Sequence, residues 1–206
     1  MQRLDDDRYC LEILRKVPLR RDVNLDEGAF DHYHVELLRD DGQLCGMAEV
    51  YFPTPSDRQR DLVGVATALG CQYLAEVCAE FISPEGFVVD EVSEALTDGL
   101  SQAFIIDDFH VETGSDQPVL RAIFIRAMME ALARPFDVLF VNGELKDVPL
   151  WEAALGAKVI RGFVAASGAR RLPVYPPPQP GHAPGPAKPL RRATHSAPRG
   201  RRRNSN

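Results

Sequence analysis

From Tyr9 to Val17 apolar and polar positions interleave, and the run stops before Pro18, a pattern that predicts a strand. Residues 19–31 are polar, with Asp26 placed to cap a short helix. Two alternating stretches follow, 32–38 and 43–52, on either side of Asp40-Asp41-Gly42. Asp-Gly between apolar runs is a hairpin signal, because glycine reaches positive φ at little cost. Tyr33, Val35 and Leu37 then share one face, with His34, Glu36 and Leu38 on the other. Pro53 and Pro55 end the second strand. With Ser56 or Asp57 as cap, Leu62, Val65, Ala66, Leu69, Tyr73, Val77 and Phe81 recur at helical spacing as far as Pro84. Val88, Val92, Leu96 and Leu100 continue at i+4 and predict a second helix over 87–100.

The second half reads as strand, helix, strand, helix, strand. Residues 103–112 form the first strand, carrying an acidic pair, and the turn Thr113-Gly114-Ser115-Asp116 follows. Val119, Ile123, Ile125, Ala127, Met128 and Leu132 define a helix that closes at Arg134-Pro135. The apolar run at 136–144 is short and bounded by Pro135 and Gly143, as a buried parallel strand is. A short helix over 148–155 accepts Pro149 in its first turn, and a last strand runs from Lys158 to Ala165. A βαβ crossover makes the strands on either side of its helix parallel.

Charge divides the chain. Of its 24 basic residues nine fall at or after Arg170, where there is no Asp or Glu, so residues 1–169 hold two acids for every base. Nine of the 16 prolines lie in 172–206. Such a segment buries too little apolar surface to offset chain entropy, so the expected organisation is one α/β domain over 1–169 and a disordered basic tail over 170–206. Within the tail, residues 191–203 suit weak contact with a nucleic-acid backbone or an acidic partner, without the aromatic interleaving that stacks bases. A solubilising tail lying on its own acidic body is the alternative. The four cysteines form no CxxC, no apolar run is long enough to span a bilayer, and the start of the chain is polar and acidic. The expectation is a cytoplasmic protein with reduced, packed thiols and no membrane contact.

Residues 103–165 resemble the GCN5-related N-acetyltransferase superfamily. There a hairpin precedes a strand, a Gln/Arg-x-x-Gly-x-Gly/Ala loop opening a helix, a further strand, a short helix ending in Gly, and a final strand. The closing segment LWEAALGAKVIRGF over 150–163 fits that order. The resemblance implies a mixed sheet, antiparallel at its N-terminal side and parallel β-α-β after it, flanked by helices. It also implies acetyl-CoA as cosubstrate and an amine-bearing small molecule or protein as acceptor. Independently of any family, amides at a helix N-terminus lack helical partners and favour a diphosphate. The loop here is Gln117-Pro118-Val119-Leu120-Arg121-Ala122. Gln117 and Ala122 fit the pattern, Leu120 stands where Gly is expected, and Pro118 removes a donor. The candidate cofactor-binding set is Val111, Gln117, Val119, Leu120, Arg121, Ala122 and Asn142, with Arg121 offered to a phosphate.

Attack of an amine on a thioester needs a base for the ammonium proton and an acid for the thiolate. Asp107, Asp108, His110 and Glu112 lie on or beside the central strand, and alternation places Asp108, His110 and Glu112, the candidate catalytic set, on one face. The contrasting reading is solvated strand-end charge. The family's tyrosine acid falls here on Glu152, beside Trp151. The altered loop and the missing tyrosine keep open a catalytically degenerate member of the fold that acts as an interaction or structural protein. His32, His34 and His110 would form a set for a metal only if the hairpin packs beside the central strand; no carboxylate spacing supports it, and no metal is expected.

Overall fold

The computed structural model describes residues 2–3, 9–16, 28–89, 102–112, 117–132, 138–143, 147–155, 161–164 and 171–175. Its strands are β1 (Gln2–Arg3), β2 (Tyr9–Lys16), β3 (Phe30–Arg39), β4 (Leu44–Pro53), β5 (Ala103–Val111), β6 (Val138–Val141), β7 (Arg161–Val164) and β8 (Arg171–Tyr175). The helices are α1 (Leu62–Ala68), α2 (Gln72–Phe81), α3 (Gln117–Leu132) and α4 (Val148–Leu155). The strands form one sheet in the order β1-β2-β3-β4-β5-β6-β8-β7. Pairing is antiparallel from β1 to β5, parallel between β5 and β6, and antiparallel again through β8 to β7. This is the mixed α/β architecture expected from the chain. No helix among the described residues is long and apolar enough to cross a membrane.

Strand alternation builds two cores. Val35, Leu37, Ala48, Val50, Phe104, Ile106, Leu139 and Val141 join Leu120, Phe124 and Met128 of α3 and Trp151 of α4. The intervening Tyr51, Ala103, Ile105, Val138 and Phe140 meet Leu62 and Ala66 of α1 and Tyr73, Leu74, Val77 and Phe81 of α2. The sheet is therefore covered on both faces, which is why β6 is apolar at every position.

Four expectations need correction. The helical periodicity from Leu62 to Phe81 is split into α1 and α2 by Gly70 at φ 78°. Gly70 N–H donates to Thr67 C=O (3.0 Å) and Cys71 N–H to Ala66 C=O (3.2 Å), so glycine closes α1 in a Schellman turn. The cap of α1 is Asp61, neither Ser56 nor Asp57; its side chain accepts from Gly64 N–H at 2.8 Å. The helix over 87–100 does not begin as expected: Val88 is extended and bridges Ile82, and residues 90–101 lie outside the described residues. Finally, the span from Leu172, read as disordered on composition, carries β8, which inserts between β6 and β7. The stretch 191–203 and the helix capped by Asp26 lie outside the described residues.

The turn after α2 stitches the loop at 54–60 to the sheet. Ser56 N–H donates to Glu85 C=O (3.0 Å) and Arg60 N–H to Pro84 C=O (3.2 Å). Gly86 adopts φ 93° there, and a Cβ on it would lie 2.9 Å from Thr54 O. Gly86→Ala is expected to destabilise the fold by about 2 kcal/mol, from left-handed strain together with that backbone contact. Urea unfolding measures it.

Candidate active site

The site is set by an irregularity in β5. Gly46 pairs with Val111 and Met47 with His110, but Glu49 pairs with Asp107, so two residues of β5 face one of β4. The extra residue is a β-bulge, and Asp108 within it takes φ 47°. Before the bulge, odd positions of β5 face α1 and α2. After it Phe109 stacks on Phe124 of α3 (5.3 Å between centroids) and meets Trp151 of α4 at 5.0 Å. One inserted residue has exchanged the two faces.

The bulge coincides with a fork. β5 and β6 pair in parallel from Ala103↔Val138 to Ile106↔Val141, and Asn142 N–H still reaches Ile106 C=O at 2.9 Å. Beyond that point β5 runs on to Val111 while β6 has ended. Among the described residues, the β6-side edge of β5 has no strand partner past Ile106.

At the fork lies Asp107, 6% exposed. Its carboxylate accepts from the Cys71 thiol (2.8 Å), from the Asp108 amide (2.9 Å) and from the Asn142 side-chain amide. Cys71 stands at the N-cap of α2, where its sulfur also accepts from Leu74 N–H at 3.4 Å. The Tyr51 hydroxyl lies beside that sulfur. Asp107 and Glu49 are the two buried charged residues among the described ones.

Glu49 faces the same side from β4. Its oxygens meet His32 Nε2 at 2.5 Å and His34 Nδ1 at 2.8 Å, and His34 Nε2 meets Glu36 at 3.0 Å. The His32 ring stacks on Tyr51 at 4.2 Å. The proposed three-His set is not assembled: His32 and His34 turn to Glu49, while His110 is exposed on β5, with β4 between. No group of three or more His, Cys, Asp or Glu among the described residues is arranged to hold a metal.

The other candidates are distributed as follows. Asp108, His110 and Glu112 are exposed, and the bulge at Asp108 removes the regular alternation from which their common face was expected. Glu112 accepts from Gln43 at 3.3 Å and lies 3.9 Å from Arg39. Val111 is buried in the core. Gln117 opens α3 and reaches Val111 C=O at 3.5 Å; Val119 is 55% exposed; Ala122 is half-buried. Leu120 packs into the core beneath α3, so it does not plug the helix's open end. Arg121 pairs with Asp147 at 2.7 Å, and its Nε is buried with no partner among the described residues. Asn142 is tied to Asp107.

Sequence reasoning named Asp107 only in passing and missed Glu49 and Cys71. No local signal joined Glu49 to the histidines: the register beside the turn, Leu38↔Leu44, would set His34 opposite Ala48, and a shift between Leu37 and Leu38 moves it to Glu49.

Burial raises the pKa of Cys71, reinforced by its hydrogen bond to Asp107, and burial likewise raises that of Tyr51. Cys78 is pushed up to about 12 from the usual 9.0 by burial alone. Between those two values the unfolded chain has released a proton that the folded chain keeps, so stability falls as pH rises through that window. Urea midpoints are therefore expected to be lower at about pH 10.5 than at about pH 8. A flat or rising midpoint counts against these burials.

No protein-family model matches the chain, and no curated protein matches it. Among solved structures, it is similar to a proposed acetyltransferase from Sphaerobacter thermophilus, at 15% identity over 80% of this chain and 76% of that one, with a TM-score of 0.36. It is also similar to FeeM, an N-acyl amino acid synthase from uncultured soil microbes, at 10% identity over 84% of this chain and 92% of that one, with a TM-score of 0.42. At these values neither likeness assigns an activity.

Proposed function

We propose that this chain is an N-acyltransferase that moves an acyl group from a coenzyme A thioester, acetyl-CoA in the simplest case, to an amine. The observation that carries this reading is the fork: β5 outlasts its parallel partner β6, and a buried carboxylate, Asp107, stands where they part. An extended arm laid along the β5 edge would find main-chain donors and acceptors there, as an added strand does.

The residues present fit such a donor. Helix α3 begins just beyond β5 and spans 16 residues, so its first amides and its dipole favour a diphosphate. Arg121, one turn in, keeps a buried Nε without a partner among the described residues, a donor left over after its pairing with Asp147. When bound, the thioester supplies an activated acyl carbon and a thiolate leaving group. Asp107 draws the acceptor's ammonium to the fork, Asn142 and Cys71 fix the carboxylate's orientation, and the bulge turns Phe109 away into the core. Asp108, His110 and Glu112 flank the mouth as further acid–base groups.

A second reading has its own support. Leu120 replaces the expected glycine, Pro118 lacks an N–H, and Glu152 stands where the family's tyrosine falls. These favour a non-catalytic member of the fold. Thermal shift with acetyl-CoA separates the two. Ligand at a hundred times Kd stabilises the folded state by about 2.7 kcal/mol, worth roughly 5–10 °C for a domain of this size. No shift at millimolar acetyl-CoA rejects the transferase and leaves the second reading.

A further inference from the structure

His34 meets a carboxylate at each ring nitrogen, Glu49 at Nδ1 (2.8 Å) and Glu36 at Nε2 (3.0 Å). An ionised carboxylate only accepts, so these contacts call for N–H at both nitrogens or for a proton on one of the carboxyls. In either form Glu49, His34 and Glu36 together hold one proton more than a neutral ring between two carboxylates. Access rises along this row: the side chains are 11%, 14% and 27% exposed from Glu49 through His34 to Glu36. The inner end stands directly across from Asp107 in the β4–β5 register, on the same sheet face.

The groups that face this row come from every neighbouring strand. Glu12 of β2 lies opposite Glu36, and His32 of β3 closes the second oxygen of Glu49. Tyr51 of β4 stacks on His32 and reaches Cys71 of α2, which donates to Asp107 of β5. The polar face is thus continuous from the fork to the surface, while the residues between these on the same strands fill the opposite core.

We infer that Glu49, His34 and Glu36 form a proton relay that carries the proton shed by the acceptor's ammonium at Asp107 out to solvent at Glu36. This rests on the N-acyltransferase reading of the same site. In the transfer, the nitrogen–acyl carbon bond forms and the carbon–sulfur bond breaks. The ammonium loses two protons: one ends on the departing thiol, and the other enters the relay at Glu49. Glu49, now carrying it, hands a proton to a bare His34 Nδ1 as the ring's Nε2 proton passes to Glu36, which gives a proton to water. The three residues act through the group at the fork, so they are relay residues rather than catalytic ones.

The test uses the full chain, acetyl-CoA as donor and 1,4-diaminobutane as the acceptor probe, with release of free thiol as readout. His34→Gln and Glu36→Gln are each expected to lower kcat about 100-fold, to leave acetyl-CoA affinity unchanged, and to flatten the pH profile. Imidazole added to His34→Gln is expected to restore part of the rate. Wild-type kcat and an unchanged pH profile in His34→Gln overturn the relay and leave the transferase standing. Failure of acetyl-CoA to bind the wild type removes both. The relay's protons are also read without turnover, by 15N NMR of the histidine rings. Expected is a hydrogen bond at each ring nitrogen of His34, with the one at Nε2 changed in Glu36→Gln. A ring with one nitrogen that makes no hydrogen bond in both proteins overturns the relay whatever the activity.

Discussion

Asp107→Ala is expected to cost about 3–5 kcal/mol of folding stability, because it strips the acceptor from three converging donors in a buried site. Cys71, the Asp108 amide and Asn142 all point at that carboxylate. None of the three can turn to water without opening the fork or the N-terminus of α2. For a domain of this length the loss corresponds to a fall in Tm of roughly 10 °C. Asp107→Asn keeps the volume and one acceptor, so it is expected to retain most of the stability. It removes the charge that draws an ammonium, and kcat is expected to fall at least about 100-fold with acetyl-CoA binding intact. Stability separates packing from chemistry here. An Asp107→Asn protein that is as stable and as active as the parent would reduce the carboxylate to an ordinary structural acceptor.

Trp151→Ala is the second large effect expected, about 3–5 kcal/mol. Trp151 is 2% exposed on α4, and its ring meets Phe109, which stacks on Phe124 of α3. These three rings join both helices of one face to the bulged part of β5. Truncating the indole opens a cavity that the neighbouring helices cannot fill without moving. Loosening also reaches the fork, so acetyl-CoA affinity is expected to drop along with stability, although Trp151 lies in the core. Trp151→Phe, which refills most of the volume, is expected to lose less than half as much. The chain has one tryptophan, so unfolding of the parent is followed by its fluorescence and that of the variants by far-UV circular dichroism. A Trp151→Ala urea midpoint within error of the parent's would contradict the packing described.

Local rules accounted for much of the fold. Alternation and the Asp-Gly turn located β3 and β4 to within two residues, since a hairpin is specified by its own sequence. The βαβ order placed β5, α3 and β6, because a strand and the helix that crosses it are written in two different periods. Gly70 was a local signal as well, but a long apolar stripe overrode it, and only the Schellman bonds show that the helix stops there. Candidate chemistry was harder. Asp107 was visible as half of an acidic pair, yet its partners Cys71 and Asn142 lie 36 and 35 residues away. No spacing rule joins positions so distant.

By itself the sequence determined the class of fold, the hairpin, the β5-α3-β6 order, and the position of α3 at the end of β5. Each depends on periodicity or on turn residues within a short window. Tertiary structure alone decided the bulge at Asp108, the insertion of β8 between β6 and β7, and the meeting of Glu49, Asp107, Cys71 and Asn142 on one face. Those outcomes depend on which strands pair and in what register. A single-residue slip there turns every following side chain to the other side of the sheet, and nothing within a local window fixes it.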